Sequence, residues 1–230
     1  MTSRAGRPFS HHRPPSDRVG AAAKVRELGI GIVEASFCFI VFFTLVIAVF
    51  EGGLYMKDDL AVSSSVRAGA RGASAMANEN RADLYTMVNL GRESTALARA
   101  DIKRIVIYKP SGFGEEPTTA CKNGLPDDDV CNVYTADDLR RAEEQVEEEA
   151  AALAAGRAPD PDKIVFGCHV DSPDRYWCPE DRKVTQTGTG PEYVGVWMRV
   201  EHPWVTKLFG NAKTIEDHSV VRLEPREADV

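Results

Sequence analysis

Outside its first 29 residues the sequence has no excess of positive charge. The chain holds 28 basic and 35 acidic residues, a net of −7. Six of the basic groups (Arg4, Arg7, Arg13, Arg18, Lys24, Arg26) fall in residues 1–29, against Asp17 and Glu27 alone. The remaining 22 basic and 33 acidic residues give the body a net of −11. A body of that sign lacks the basic footprint that phosphate binding requires, which excludes nucleic acid as its partner. The parts of a catalytic centre are missing as well. There is no serine in a nucleophile elbow, no paired-histidine metalloprotease pattern and no phosphate loop. Gly188-Thr189-Gly190-Pro191 reads as a turn. His169, His202 and His218 stand in or beside strand candidates, where a packed or surface histidine is the ordinary outcome. The chain is therefore read as non-enzymatic, with no cofactor.

One stretch almost lacks polar side chains. Ile30–Phe50 reads IGIVEASFCFIVFFTLVIAVF, with Glu34 as its single ionisable group. As a helix it would be about 31 Å long, against a hydrocarbon core of roughly 30 Å. Basic residues precede it, and Glu51, Asp58 and Asp59 follow with Lys57. That asymmetry puts the N-terminus in the cytoplasm and the body outside. A cleaved secretory signal has a shorter apolar run closed by a small-x-small site. Phe50-Glu51-Gly52-Gly53 supplies no such site, so the segment is read as a retained transmembrane helix.

Cysteine is scarce, five in all. Cys38 lies within the span; Cys121, Cys131, Cys168 and Cys178 lie beyond it. An even number in an exported domain points to two disulfides. The spacing within each pair is unlike a zinc knuckle, so no metal site is expected. Closing each pair locally would contribute about 2–3 kcal/mol, but the two crossed connectivities remain open on sequence.

Residues 1–23, rich in Arg, Ser, Pro and His, have no apolar period and read as disordered. Past the membrane, Val62, Val66, Ala70, Ala73 and Ala77 recur at helical spacing, and Leu84 and Val88 resume the stripe. Such small residues suit close packing on another element. Gly52-Gly53, Gly69 and Gly72 weaken the helix and suggest a bend. Strand candidates are Ile102–Pro110, Lys163–Val170, Tyr193–Pro203 and His218–Glu224. In the third, Val194, Val196, Met198 and Val200 alternate with Gly195, Trp197, Arg199 and Glu201, the period of a strand with one buried face. The stretch to Val133 reads as loop, its Asp127-Asp128-Asp129 run as solvated. Thr135–Gly156 reads as an acidic surface helix that buries little, opened by Thr135 and Asp138. The fold class is α+β: a transmembrane helix continuing into a long helix packed on an antiparallel sheet of about four strands. Its organisation is a leader over 1–29, a span over 30–50 and a body over 51–230, with a loop and the acidic helix inserted at about 111–162.

Glu34 needs an explanation. A carboxylate inside a membrane helix costs roughly 2–3.5 kcal/mol near the centre and less near the interface. It either snorkels to the cytoplasmic surface or is neutralised. Cleavage after Gly29 would give Ile30 a free α-amino group, and that cation on a neighbouring copy could pair with Glu34.

Gly29 followed by a hydrophobic span with Glu34 as its fifth residue resembles the type IV prepilin cleavage signal, read by a prepilin peptidase. Val66-Arg67-Ala68-Gly69-Ala70-Arg71-Gly72-Ala73-Ser74 is similar to the "aGAR.as" segment of TadE/TadG-like pseudopilins of the tight-adherence (Flp/Tad) pilus. The run from Tyr193 through His202-Pro203-Trp204 to Ser219–Pro225 resembles that family's C-terminal strand and "mRlEp" ending. Residues 110–190 depart from the family pattern. The resemblance implies a pilin-like fold and a minor pseudopilin or assembly component in the cell membrane, joining the fibre sparsely if at all. Its implied partners are the bilayer, the prepilin peptidase, the major pilin and other pseudopilins, and the Tad inner-membrane platform. The competing reading is an anchored binding or adhesion module that is never processed. On either reading, a reporter fused after Val230 should be active only when it works outside the cytoplasm. Activity there of a cytoplasm-only reporter would reverse the topology.

Overall fold

The computed structural model describes residues 17–97 and 101–225, except for the side chains of residues 17–30 and Asp101. Contacts divide the chain into two units, Met1–Phe50 and Glu51–Val230.

Helix α1, Asp17–Met76, contains the apolar span. It begins earlier than the expected start at Ile30, so the end of the leader read as disordered is helical; residues 1–16 lie outside the described residues. Helical backbone runs through Gly52, Gly53, Gly69 and Gly72. The interruption comes later, where Ala77 takes a left-handed φ of 52° and the turn before α2 (Ala82–Ser94) begins. The stripe read as one helix is thus two.

In the second unit four strands form an antiparallel sheet: β1 Asp101–Tyr108, β2 Cys131–Tyr134, β3 Tyr193–Pro203 and β4 Ala212–Arg222, in the order β2-β1-β3-β4. β3 and β4 form a long hairpin, pairing Tyr193 with Arg222 at one end and Pro203 with Ala212 at the other. One sheet face meets the helices. Val62, Val66, Ala70, Ala73 and Ala77 of α1 are buried in one core with Leu84, Met87 and Leu90 of α2, Ile105 and Ile107 of β1, and Val194, Val196, Met198 and Val200 of β3. The α+β architecture expected from the sequence is the one observed.

Two strand assignments need correction. Lys163–Val170 is not a strand. The amides of Val165 and Phe166 donate to Gln145 Oε1, and those of Gly167 and Cys168 to the Asp174 carboxylate. Gly167 and Cys168 also take φ values of 131° and 57°. Side chains have captured the donors that a ladder would use. The missing strand is β2, read from sequence as loop; it pairs Cys131–Tyr134 with Ile105–Tyr108. β4 also starts earlier than His218, at Ala212.

The outer sheet face is covered too, contrary to a one-sided reading of β3. Trp197, Val106 and Tyr108 form a second buried cluster with Cys121 and Cys131. Cys121 is bonded to Cys131, and Cys168 to Cys178. The first bridge holds the loop after β1 over this face. Gly195 is required here, because a Cβ would lie 2.3 Å from Tyr108 Cζ.

Helix α3, Thr119–Lys122, is a single capped turn within that loop. Helix α4, Ala136–Ala154, opens with the expected capping box: Thr135 Oγ1 accepts from Asp138 N while the Asp138 carboxylate accepts from Thr135 N. It buries more than an edge insertion would, however. Leu139, Ala142, Gln145, Glu148 and Ala152 are buried. Arg157 and Lys163 bond to the Glu148 carboxylate at 2.7 and 3.2 Å and hold its pKa down at about 2.

The α1 face tests most directly by overfilling. Ala70→Leu inserts three heavy atoms at a position with no exposed area, and overpacking of that kind costs about 1–3 kcal/mol. Arg71→Ala, one residue on and exposed, should stay within about 0.5 kcal/mol. Denaturant unfolding of the two variants reads the difference, and equal effects would contradict the packing described.

Candidate functional site

The apolar half of α1 presents its side chains outward. From Ile32 to Phe50 its large residues other than the half-buried Ile47 are roughly half to three-quarters exposed, with Phe37 at 68% and Val49 at 78%. Among the described residues this is the one helix long and apolar enough to cross a membrane. Water-facing apolar patches of soluble monomers rarely exceed a few hundred Å², whereas a lipid-facing helix needs an apolar surface all round. Ser36 and Thr44 return their hydroxyls to the carbonyls of Ile32 and Ile40, so neither leaves an unsatisfied donor in the span. Glu34 is exposed and has no partner among the described residues. The Gly29–Ile30 junction is helical, but its side chains lie outside the described residues.

Gly69, Ala70 and Arg71 have separate surroundings. Gly69 is buried where α1 meets α2 and β3, and a Cβ there would stand 3.4 Å from Leu90 Cδ1 and 3.5 Å from Val196 Cγ1, ordinary van der Waals contact. Ala70 is fully buried, and Arg71 is exposed. Small residues thus form the packed face, and the arginine stands away from it.

Immediately after the span, α1 is bonded to the far end of the β3–β4 hairpin. Glu51 is buried, and its carboxylate accepts from Val205 N at 3.2 Å and Thr206 N at 2.6 Å. Two turns on, Asp58 Oδ2 meets His202 Nδ1 at 2.6 Å, with both side chains almost wholly buried. His202 Nε2 is buried without a hydrogen-bond partner among the described residues. Tyr55, His202, Trp204 and Phe209 pack as a chain of rings with centroids 4.9–5.8 Å apart. Two acidic residues of the helix therefore hold the hairpin through directed bonds, one to backbone and one to imidazole.

Comparison with protein families adds an independent observation. Residues 29–71 match the family model of TadE-like proteins. No curated protein and no solved structure matches the chain. The TadE-like segment begins at Gly29, spans the apolar helix and ends at Arg71, inside the close-packed small-residue face. The match covers 43 of the 230 residues and includes the apolar span of the one helix that, among the described residues, is long and apolar enough to cross a membrane. The C-terminal run 193–225 lies outside the match and forms the β3–β4 hairpin.

Beyond the TadE-like segment the body contains a buried polar network that no sequence pattern announced. Arg182 NH2 bonds Asp83 Oδ1 at 2.6 Å, and neither side chain has exposed area. Asp83 Oδ2 accepts from Tyr134 Oη and Asn132 Nδ2, and Asn132 in turn bonds both backbone groups of Trp177. The guanidinium lies 4.2 Å from the centre of the Trp177 ring. Burial and the Asp83 charge push the Tyr134 hydroxyl pKa well up, and burial raises that of Asp174. The network ties α2, β2 and the second disulfide loop together, and its location is structural. Among the described residues no group of three or more His, Cys, Asp or Glu could hold a metal.

Sequence reading missed the Asp58–His202, Glu51–Thr206 and Asp83–Arg182 pairings because partners 99 to 155 residues apart leave no local pattern. The only available signal was acidic residues on an otherwise small or apolar helix stripe. Glu51→Ala should strip amide-exchange protection from Val205 and Thr206 and destabilise the body by about 1–3 kcal/mol, the range for buried donors left unpaired. Unchanged exchange at both amides would show that the carboxylate does not hold the tip.

Proposed function

We propose that the chain is a minor pseudopilin or assembly component of a Tad/Flp-type pilus, with its leader removed by a prepilin peptidase between Gly29 and Ile30. The observation that carries this reading is the TadE-like match over 29–71, which begins at the proposed cut and includes Glu34. Cleavage places an ammonium at Ile30, and Glu34 is a carboxylate without an intrachain partner among the described residues. In a bundle of such helices, the ammonium of one copy pairs with Glu34 of a neighbour and sets the register between them. The partners are the major pilin, other pseudopilins and the inner-membrane platform. The body outside the membrane is a structural and recognition module rather than an enzyme.

Two substitutions separate the steps. Gly29→Leu should leave a full-length precursor. Glu34→Ala should insert as well as or better than wild type yet fail to co-purify with pilus components, since one-sided loss of a buried pair costs about 3–5 kcal/mol. Mass spectrometry of the N-terminus reads the first effect and co-purification the second. A wild-type chain starting at Met1 together with normal assembly of Glu34→Ala would leave an unprocessed anchored module instead.

A further inference from the structure

We infer that the tip of the β3–β4 hairpin, residues 204–211, is a second membrane contact, seated in the lipid headgroup layer where α1 leaves the bilayer. The inference rests on the anchor reading and extends it to a part of the chain far away in sequence. The tip reads WVTKLFGN. Val205, Leu208 and Phe209 are 53%, 54% and 51% exposed. Three large apolar side chains in five residues are gathered on one turn; Met56 and Leu60 are also exposed on α1 just past the span, whereas Phe113, Leu125, Leu153 and Val170 are exposed singly elsewhere on the body.

Position names the occupant. The amides of Val205 and Thr206 are bonded to the Glu51 carboxylate, and Glu51 directly follows Phe50, the last residue of the span. One residue of helix rises about 1.5 Å, and the headgroup layer is roughly 5–7 Å deep on each side of the core. A turn held by hydrogen bonds to Glu51 therefore falls within that layer. Its chemistry suits the place. Trp204 packs between Tyr55 and Phe209, and aromatic rings of this kind are enriched at membrane interfaces. Lys207 is the only ionisable residue of 203–211, exposed and without an ion pair among the described residues. Its stem can lie along apolar neighbours while the ammonium reaches lipid phosphates. In a body of net −11, the one charge at this turn has the sign that anionic headgroups attract.

The test uses the full chain in nanodiscs of phosphatidylcholine and phosphatidylglycerol. A fluorescent NBD label is placed at the native Cys38, or, in a Cys38→Ser background, at Leu208→Cys, at Val205→Cys as a second tip site, or at Leu153→Cys on α4. Both tip labels should be quenched by nitroxide-bearing lipids and be several-fold less accessible to aqueous iodide than the label at position 153. Lys207→Glu should reduce lipid quenching at position 208. Quenching at Cys38 with tip labels as iodide-accessible as position 153 would overturn the tip contact and leave the anchor intact. Absence of lipid quenching at Cys38 would remove the anchor reading itself. Tip labels shielded from iodide but unquenched by lipid would mean a protein face covers the turn, which also overturns the proposal.

Discussion

A face of small side chains on α1 is the constraint on which the unit Glu51–Val230 depends. Val62, Val66, Gly69, Ala70, Ala73 and Ala77 let a helix backbone lie close against β3 and α2, and the largest atoms at that contact come from the partners, Leu90 and Val196 among them. Because the helix contributes little volume, the sheet and α2 must supply the bulk of the core. Met198, Ile105, Ile107, Leu84 and Met87 do so. Interiors packed this densely tolerate neither voids nor added methylenes, so the helix residues have little freedom to change. The TadE-like match ends within this face, at Arg71, so the same segment joins anchor chemistry to domain packing.

Directed polar bonds complete what shape alone leaves open. A smooth helix on a smooth sheet could slide by a turn at modest cost, but buried charges and amides have only one satisfying register. Glu51 with the hairpin amides, Asp58 with His202, and Ser74 with the Arg222 carbonyl fix α1 to the β3–β4 hairpin at three heights. On the other side of the core, Asp83 and Arg182 do the same for α2, β2 and the loop closed by Cys168 and Cys178. Breaking such a pair on one side strands a buried charge, whereas the pair as a whole can be close to neutral for stability. Their contribution is to register.

The middle of the chain, where the family likeness is absent, serves as covering. The loop closed by Cys121 and Cys131 lies over Trp197 and Tyr108 on the outer sheet face. Gln145 of α4 and Asp174 use their side-chain oxygens to satisfy four consecutive amides that would otherwise seek a strand partner. Both insertions bury sheet or backbone surface that the core of α1, α2 and the sheet leaves open, and each is held by a local cross-link.

Several features were legible in the sequence because they are local or periodic. The span, its lone Glu34, the small-residue helix stripe, the capping box of α4 and the alternation of β3 each follow from residues within a few positions of one another. The α+β class followed from them. Lys163–Val170 has a strand's composition, yet Gln145 and Asp174 take its donors, and only the fold brings those side chains there. Cys131–Tyr134 became a strand because β1 offered an open edge, not because four residues demanded it. The disulfide pairing, the Asp58–His202 and Asp83–Arg182 bonds, and the return of the hairpin tip to Glu51 join groups brought together only by tertiary structure. Side-chain periodicity reports which face of an element is apolar, but the partner of a buried charge is set by chain topology, and topology decided those.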